Sequence, residues 1–168
     1  VLINMLHLMS FALDGFAHAA EALVGKAVGA KDRQALKQSV TLALRWSLYV
    51  SVLFSVFFLV AGKPLIRLLT DLPDVIDVAD QYLPWLYVLP VIAVWSYLYD
   101  GVFVGATRAR EMRDIMLIST FLVFIPAWLA FSSLGNHGLW LSLGLFLASR
   151  GIGMHYYYRA RVLPVGSA

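Results

Sequence analysis

Apolar residues fall into five long stretches, Val1–Gly29, Val40–Ala61, Tyr82–Gly105, Ile115–Leu134 and Gly138–Tyr158, joined by short polar connections. Each has roughly the 20 residues that a helix needs to cross about 30 Å of hydrocarbon. The runs are continuous, without the alternation of apolar and polar positions that marks a membrane barrel strand. In lipid every backbone N–H and C=O requires an internal partner, and a helix supplies all of them within one segment. The pattern therefore predicts five membrane-spanning helices. The polar residues of note within it are Asp14, His18 and Glu21 in the first stretch, Arg45 in the second, Asp100 in the third and Arg150 in the fifth. Pro84, Pro90 and Pro126 are expected to bend their helices.

Composition agrees. Hydrophobic residues make up 61% of the 168 and charged residues 14%, against roughly 45–50% and 25% in soluble domains. A soluble chain of this length has too little interior to hide that much apolar surface. The absence of cysteine excludes disulfides, thiolate metal sites and CxxC redox chemistry. No glycine-rich dinucleotide or phosphate loop, HExxH or GxSxG motif is present.

Charge gives the topology. Lys26, Lys31, Arg33 and Lys37 lie around the first connection, Arg108, Arg110 and Arg113 around the third, and Arg159 and Arg161 in the tail. The alternate connections hold only Lys63 and Arg67. The positive-inside rule places the nine-residue group and the C-terminus in the cytoplasm and the start of the chain outside. These basic residues read as topology signals and imply no nucleic-acid partner. The chain starts at Val1 with no basic region or cleavage site ahead of its apolar run, so this run is not a signal peptide. An odd number of preceding spans would account for an external start, and the chain is expected to be part of a longer protein.

In the external connection Asp71, Asp74, Asp77 and Asp80 recur every third residue after a helix-starting region at Pro73. A short amphipathic surface helix is expected there, with Asp71 as its cap and Asp74 near its positive end. The alternative is a metal-binding DxxD array of the prenyl-transfer type, for which one stripe supplies few ligands.

The ionisable groups at bilayer depth carry the candidate chemistry. A carboxylate at the membrane centre costs about 2.5–3.5 kcal/mol on insertion scales, so it faces a bundle interior or a wet cavity. Asp14, His18 and Glu21 are spaced to share one helix face, as a proton or cation pathway would require. Asp100, with Tyr97 and Tyr99 just before it, is a second candidate, its alternative being a helix-end partner for Arg108. Arg150 is either a buried counter-charge or a snorkelling side chain. The steps Gly25–Gly29, Gly101–Gly105 and Gly144–Ala148 are candidate close-packing sites.

The run LDGFAHAAEALVGKAVGAKD over residues 13–32 resembles the second helix of a lobe in multidrug and toxic compound extrusion (MATE) exporters, in particular the DinF (DNA-damage-inducible protein F) branch. DGVFVGATR over 100–108 resembles the end of that lobe's fourth helix, GNHGLW over 135–140 the turn into its last, and LPDV over 72–75 its external connection. The resemblance covers residues 1–161. It implies an all-α polytopic membrane protein, five helices of a six-helix C-terminal lobe (helices eight to twelve of twelve) followed by a short cytoplasmic tail at 162–168. Members exchange H⁺ or Na⁺ for cationic or amphipathic compounds by alternating access. The DinF branch's coupling aspartate lies on a helix of the other lobe and has no counterpart in this sequence. Other branches use a tyrosine–aspartate pair in the fourth helix, and alignment on Gly105 and Arg108 puts that aspartate at Tyr97.

The expectation is thus a non-enzymatic antiporter lobe in a bacterial inner membrane. Asp14, His18, Glu21, Tyr97 and Asp100 form its cation and substrate pathway. It uses no cofactor beyond the coupling ion, H⁺ or Na⁺. Its partners are the bilayer, cationic or amphipathic small molecules, and the N-terminal lobe of the same chain. The rival readings are a flippase for lipid-linked precursors, with Arg45 and Arg150 as the residues to watch, a membrane-embedded prenyltransferase using Asp71–Asp80, and a non-catalytic scaffold.

Overall fold

The computed structural model describes residues 1–164, which contain helices and no strands. The last four residues of the expected 162–168 tail lie outside the described residues. Five rods follow one another: α1 (Leu2–Gly29), α2 (Arg33–Leu69), α3 (Pro73–Gly105), a rod built from α4 (Ala109–Ile118) and α5 (Ile125–Ala130) with a π-helical stretch between them (Ser119–Phe124), and α6 (Asn136–Tyr157). A wider final turn, Tyr158–Val162, continues α6. Three of these, α2, α3 and the Ala109–Ala130 rod, are long and apolar enough to cross a membrane. The 28 residues of α1 and 22 of α6 give lengths of about 42 and 33 Å. Polar residues such as Asp14, His18, Arg150 and His155 dilute their apolar character.

Boundaries differ from expectation where the chain runs on beyond the hydrocarbon. α2 extends past Val40–Ala61 at both ends and continues through Pro64, so Lys63 and Arg67 belong to a helix and not to a loop. The separate surface helix expected at Asp71–Asp80 does not exist. Pro73 begins α3, and Asp74, Asp77 and Asp80 decorate its first turns. Asp71 is not the cap: Leu72 holds that position, with no side-chain cap bond. Asp74 does sit in the first turn, where the helix dipole favours a negative charge. Pro84 and Pro90 lie within a single α3. Ahead of Pro126 the backbone widens, and Ile125 N–H bonds the Thr120 carbonyl five residues back. A proline without an N–H, crowding the preceding turn, accounts for that local change of register.

The two connections at the basic end are built alike. After Val28-Gly29 and after Val104-Gly105, alanine continues the helix and the next residue turns left-handed: Lys31 at φ 54° and Thr107 at φ 57°. Asp32 N–H then reaches back to Ala27 C=O, and Arg108 N–H to Phe103 C=O, so orphan carbonyls at both helix ends are satisfied. Each turn then launches the next helix. Asp32 caps α2 by accepting from Ala35 N–H at 2.9 Å. Arg108 bonds Glu111 at 2.8 Å in the first turn of α4, which holds the Glu111 carboxyl below the usual glutamate range.

α3 is the central element and packs against α1, α2 and α6, while the α4–α5 rod leans on α6. Two apolar clusters fill the bundle and both draw on Trp95. One, around Val24, Leu36, Phe103 and Met154, lies toward the basic end. The other, around Met9, Leu13, Phe58 and Leu86, lies toward the opposite end. Large apolar side chains also point outward: Leu53, Val60, Phe121 and Leu122 are each at least 60% exposed. A bundle whose core and periphery are both apolar is built for lipid.

Glycines set the closest approach. A Cβ on Gly101 would collide with the Ala17 carbonyl, and one on Gly105 with the Glu21 carbonyl. The Gly101–Gly105 step therefore lets the α3 backbone rest directly on α1, whereas Gly29 faces open space. Of the three candidate steps, this one is the contact; Gly144 has only ordinary contact, with Leu89. Gly101→Ala and Gly105→Ala should each destabilise the protein by about 1–3 kcal/mol, the usual range for overpacking. Gly29→Ala should be neutral or slightly stabilising, as read from thermal melts in detergent.

Candidate functional site

One side of α1 meets α3 and α6 across a groove of about 400 Å³, lined by His7 and Ser10 from α1, Ala93 and Tyr97 from α3, and Leu147 and Arg150 from α6. α1 turns Met5, Met9, Leu13, Ala17 and Val24 into the bundle. At the groove α1 presents Ile3, Leu6 and Met9 beside His7 and Ser10, so the lining is largely apolar with a few polar groups. Asp14 is half-buried and has no hydrogen-bond or ion-pair partner among the described residues. Its charge acts on both Tyr97 and Asp100. The hydroxyl of Ser10 lies within reach of Tyr97 and donates to the His7 carbonyl at 3.0 Å.

Asp100 is the strongest polar contact of the bundle interior. Arg150 donates from one Nη to both carboxylate oxygens, at 2.6 and 2.8 Å. The side chains are 15% and 31% exposed, so the pair is largely shielded from solvent and its partners depend on each other. The alternative partner Arg108 is engaged by Glu111 instead, because it lies beyond the left-handed turn that ends α3. Arg150 is therefore a counter-charge and does not snorkel. Its Nε lacks a hydrogen-bond partner, leaving one donor free beside the groove.

The stripe Asp14–His18–Glu21 divides. His18 and Glu21 approach each other at 3.6 Å with side chains 79% and 42% exposed, a pair of small energetic weight. Glu21 presents its backbone to Gly105 and its side chain outward. Asp14 alone joins Tyr97 and the Asp100–Arg150 pair. His7 and Ser10 were not singled out by sequence. They continue the same stripe one and two turns before Asp14, and that helical spacing was the available signal. Among the described residues no three His, Cys, Asp or Glu side chains are arranged to hold a metal. Asp80, the last of the aspartate series, lies 3.8 Å from Lys63 across the α2–α3 turn.

Tyr97 and Arg150 line the groove, and the unpaired Asp14 stands close enough for its charge to act on Tyr97 and on Asp100. Such a grouping can bind a cation at Asp14, exchange it for a proton, and offer Asp100 once Arg150 moves away.

Comparison with known proteins gives a consistent picture. The MatE family model matches residues 1–129. The chain is 46% identical over 159 residues to DNA damage-inducible protein F of Escherichia coli, covering 95% of this chain and 34% of that protein. It is 31% identical over 102 residues to the probable multidrug resistance protein YpnP of Bacillus subtilis, covering 60% of this chain and 23% of the relative. To the human multidrug and toxin extrusion protein 1 it is 28% identical over 129 residues, 75% of this chain and 23% of the relative. The chain thus spans about a third or less of the curated relatives it matches. No solved structure matches it significantly.

Arg150→Gln strands a half-buried carboxylate and should cost about 1–3 kcal/mol of stability. Asp100→Asn in the same chain should recover most of that loss, and a double-mutant cycle of melting curves measures the coupling.

Proposed function

The chain belongs to the MatE family, whose relatives include proteins named for multidrug resistance and for multidrug and toxin extrusion, and from that premise we propose that it is the C-terminal lobe of a secondary active antiporter. The antiporter exports cationic or amphipathic drugs in exchange for H⁺ or Na⁺. It resides in a bacterial inner membrane with the basic end of the bundle and the C-terminus in the cytoplasm, an orientation that the nine-to-two distribution of basic residues between alternate connections supports. The single observation that carries this reading is the grouping of Asp14 and the Asp100–Arg150 pair around Tyr97, whose side chain lines the groove with Arg150.

The mechanism follows from competition for a carboxylate. Ionised Asp14 attracts a cationic cargo, aided by the face of Tyr97. Protonation, or a coupling cation, removes that attraction and releases the cargo. Competition alone transports nothing. Proton or coupling ion must favour one orientation of the lobes and cargo the other, so that their differential affinities drive alternation. His18 and Glu21 lie nearer the basic end and serve as a wet approach to the site, a lesser role that their exposure supports.

A lipid-linked flippase would want unpaired cations in the groove. The positive charge of Arg150 is taken up by Asp100, and Arg45 lines a different cleft on α2 with Gln38 and Lys37. Both observations favour cationic over anionic cargo.

In the full-length transporter, Asp14→Asn should abolish drug resistance while membrane abundance stays at the wild-type level. Cell survival against a panel of cationic drugs, with immunoblotting of membranes, checks this. Wild-type resistance in the variant would refute the role of Asp14.

A further inference from the structure

On the side of the α3–α6 contact away from the Tyr97–Arg150 groove, two clefts meet at His155. The lower one, about 390 Å³, opens at the basic end between α2 and α6, with Lys37, Val40 and Leu44 on one wall and Tyr99, Tyr158 and Arg159 on the other. The upper one, about 560 Å³, is almost wholly apolar and runs between Val91, Ile92 and Trp95 of α3 and Ala148, Gly151 and Ile152 of α6. From His155 back to Ala148 it climbs about 10 Å along α6, which is toward the middle of the bilayer.

The lower cleft is cationic without compensation. Lys37 and Arg159 have no carboxylate partner among the described residues, and no acidic side chain lines the cleft. The Arg159 charge acts on Tyr99, Tyr158 and His155 together. The Tyr99 hydroxyl, on a side chain 1% exposed, is held 2.5 Å from His155 Nδ1. With Tyr99 donating to Nδ1, His155 Nε2 carries the ring proton and becomes a hydrogen-bond donor. Two cations and polar ring groups at interface depth, joined to a dry groove leading toward the membrane centre, match an anionic headgroup with an attached hydrocarbon chain.

We propose that this cleft binds one anionic glycerophospholipid, with its phosphate between Lys37 and Arg159 and one acyl chain along the Trp95–Gly151 groove. Gly151 forms the floor of the groove: a Cβ there would press on Trp95 Cβ at 2.9 Å, so the glycine lets α6 close on α3 beneath the chain. The site lies apart from the cation-exchange wall, and its occupancy is independent of which ion drives transport.

Native mass spectrometry of the intact transporter, titrated with phosphatidylglycerol or phosphatidylcholine, tests the assignment. The wild type should retain one phosphatidylglycerol in preference to phosphatidylcholine. The double substitution Lys37→Gln and Arg159→Gln should weaken phosphatidylglycerol binding about tenfold or more, with phosphatidylcholine unchanged. Lys31→Gln with Arg110→Gln removes the same charge at the same end but outside the cleft, and should leave binding intact. Equal losses in the two double variants would mean diffuse attraction to a positive surface, and would overturn the site. Displacement by millimolar inorganic phosphate would mean a soluble-anion site, and would overturn it likewise. Absence of any preferred lipid on the intact transporter would mean that another part of the protein covers the cleft, which also contradicts the proposal.

Discussion

The rest of the bundle depends on one backbone contact, the seating of α3 on α1 through Gly101 and Gly105. With no side chains between them, the two helices come close enough for the polar flank of α1 to stand beside Tyr97 and Asp100. A side chain at either glycine would push the helices apart and widen the space that Asp14 shares with them. Helices in lipid gain little from burying oil against oil, so close packing of this kind and interhelical polar contacts hold them together. The structure uses both: glycine against carbonyl between α1 and α3, and arginine against aspartate between α3 and α6.

These contacts also explain why the charged groups are tolerated. Asp100 carries its own counter-ion across the bundle, so its charge is neutralised without water. Asp14 has no such partner, and its half-buried position near Tyr97 suits an exchangeable cation or proton. The Asp100–Arg150 pair ties α3 to α6, while Asp14 is the carboxylate proposed to exchange its cation or proton. The exposed pair His18–Glu21 is neither strong nor shielded, and lies outside that arrangement.

Much of the fold was legible in the sequence because hydropathy runs and basic connections follow directly from the solvent. The five rods stand within a few residues of expectation at Gly29, Gly105 and Tyr157, where left-handed or widened turns end them. Expectation failed where a helix projects beyond hydrocarbon: nothing in the composition of Gly62–Leu69 or Pro73–Gln81 marks those residues as extensions of α2 and α3. Prolines were ambiguous for the same reason, since Pro84 and Pro90 sit inside α3 while Pro126 coincides with a change of helical register. At the site, spacing placed Asp14, His18 and Glu21 on one face, but only the packing of α3 shows which of them faces a partner. The Asp100–Arg150 pair joins residues 50 positions apart, a distance over which local pattern is silent.

The central proposal is that Ser10 and Tyr97, beside Asp14, border a water-filled crevice while the opposite surface of the bundle meets lipid. The chain contains no cysteine, so single cysteines report their surroundings cleanly. In a cysteine-free full-length transporter, labelling of Ser10→Cys, Tyr97→Cys and Leu53→Cys by a membrane-impermeant thiol reagent is the most direct measurement. The account predicts rapid labelling at Ser10→Cys and Tyr97→Cys, slowed by excess cationic drug, and none at Leu53→Cys. Labelling confined to Leu53→Cys, or no labelling at either groove position, would contradict it.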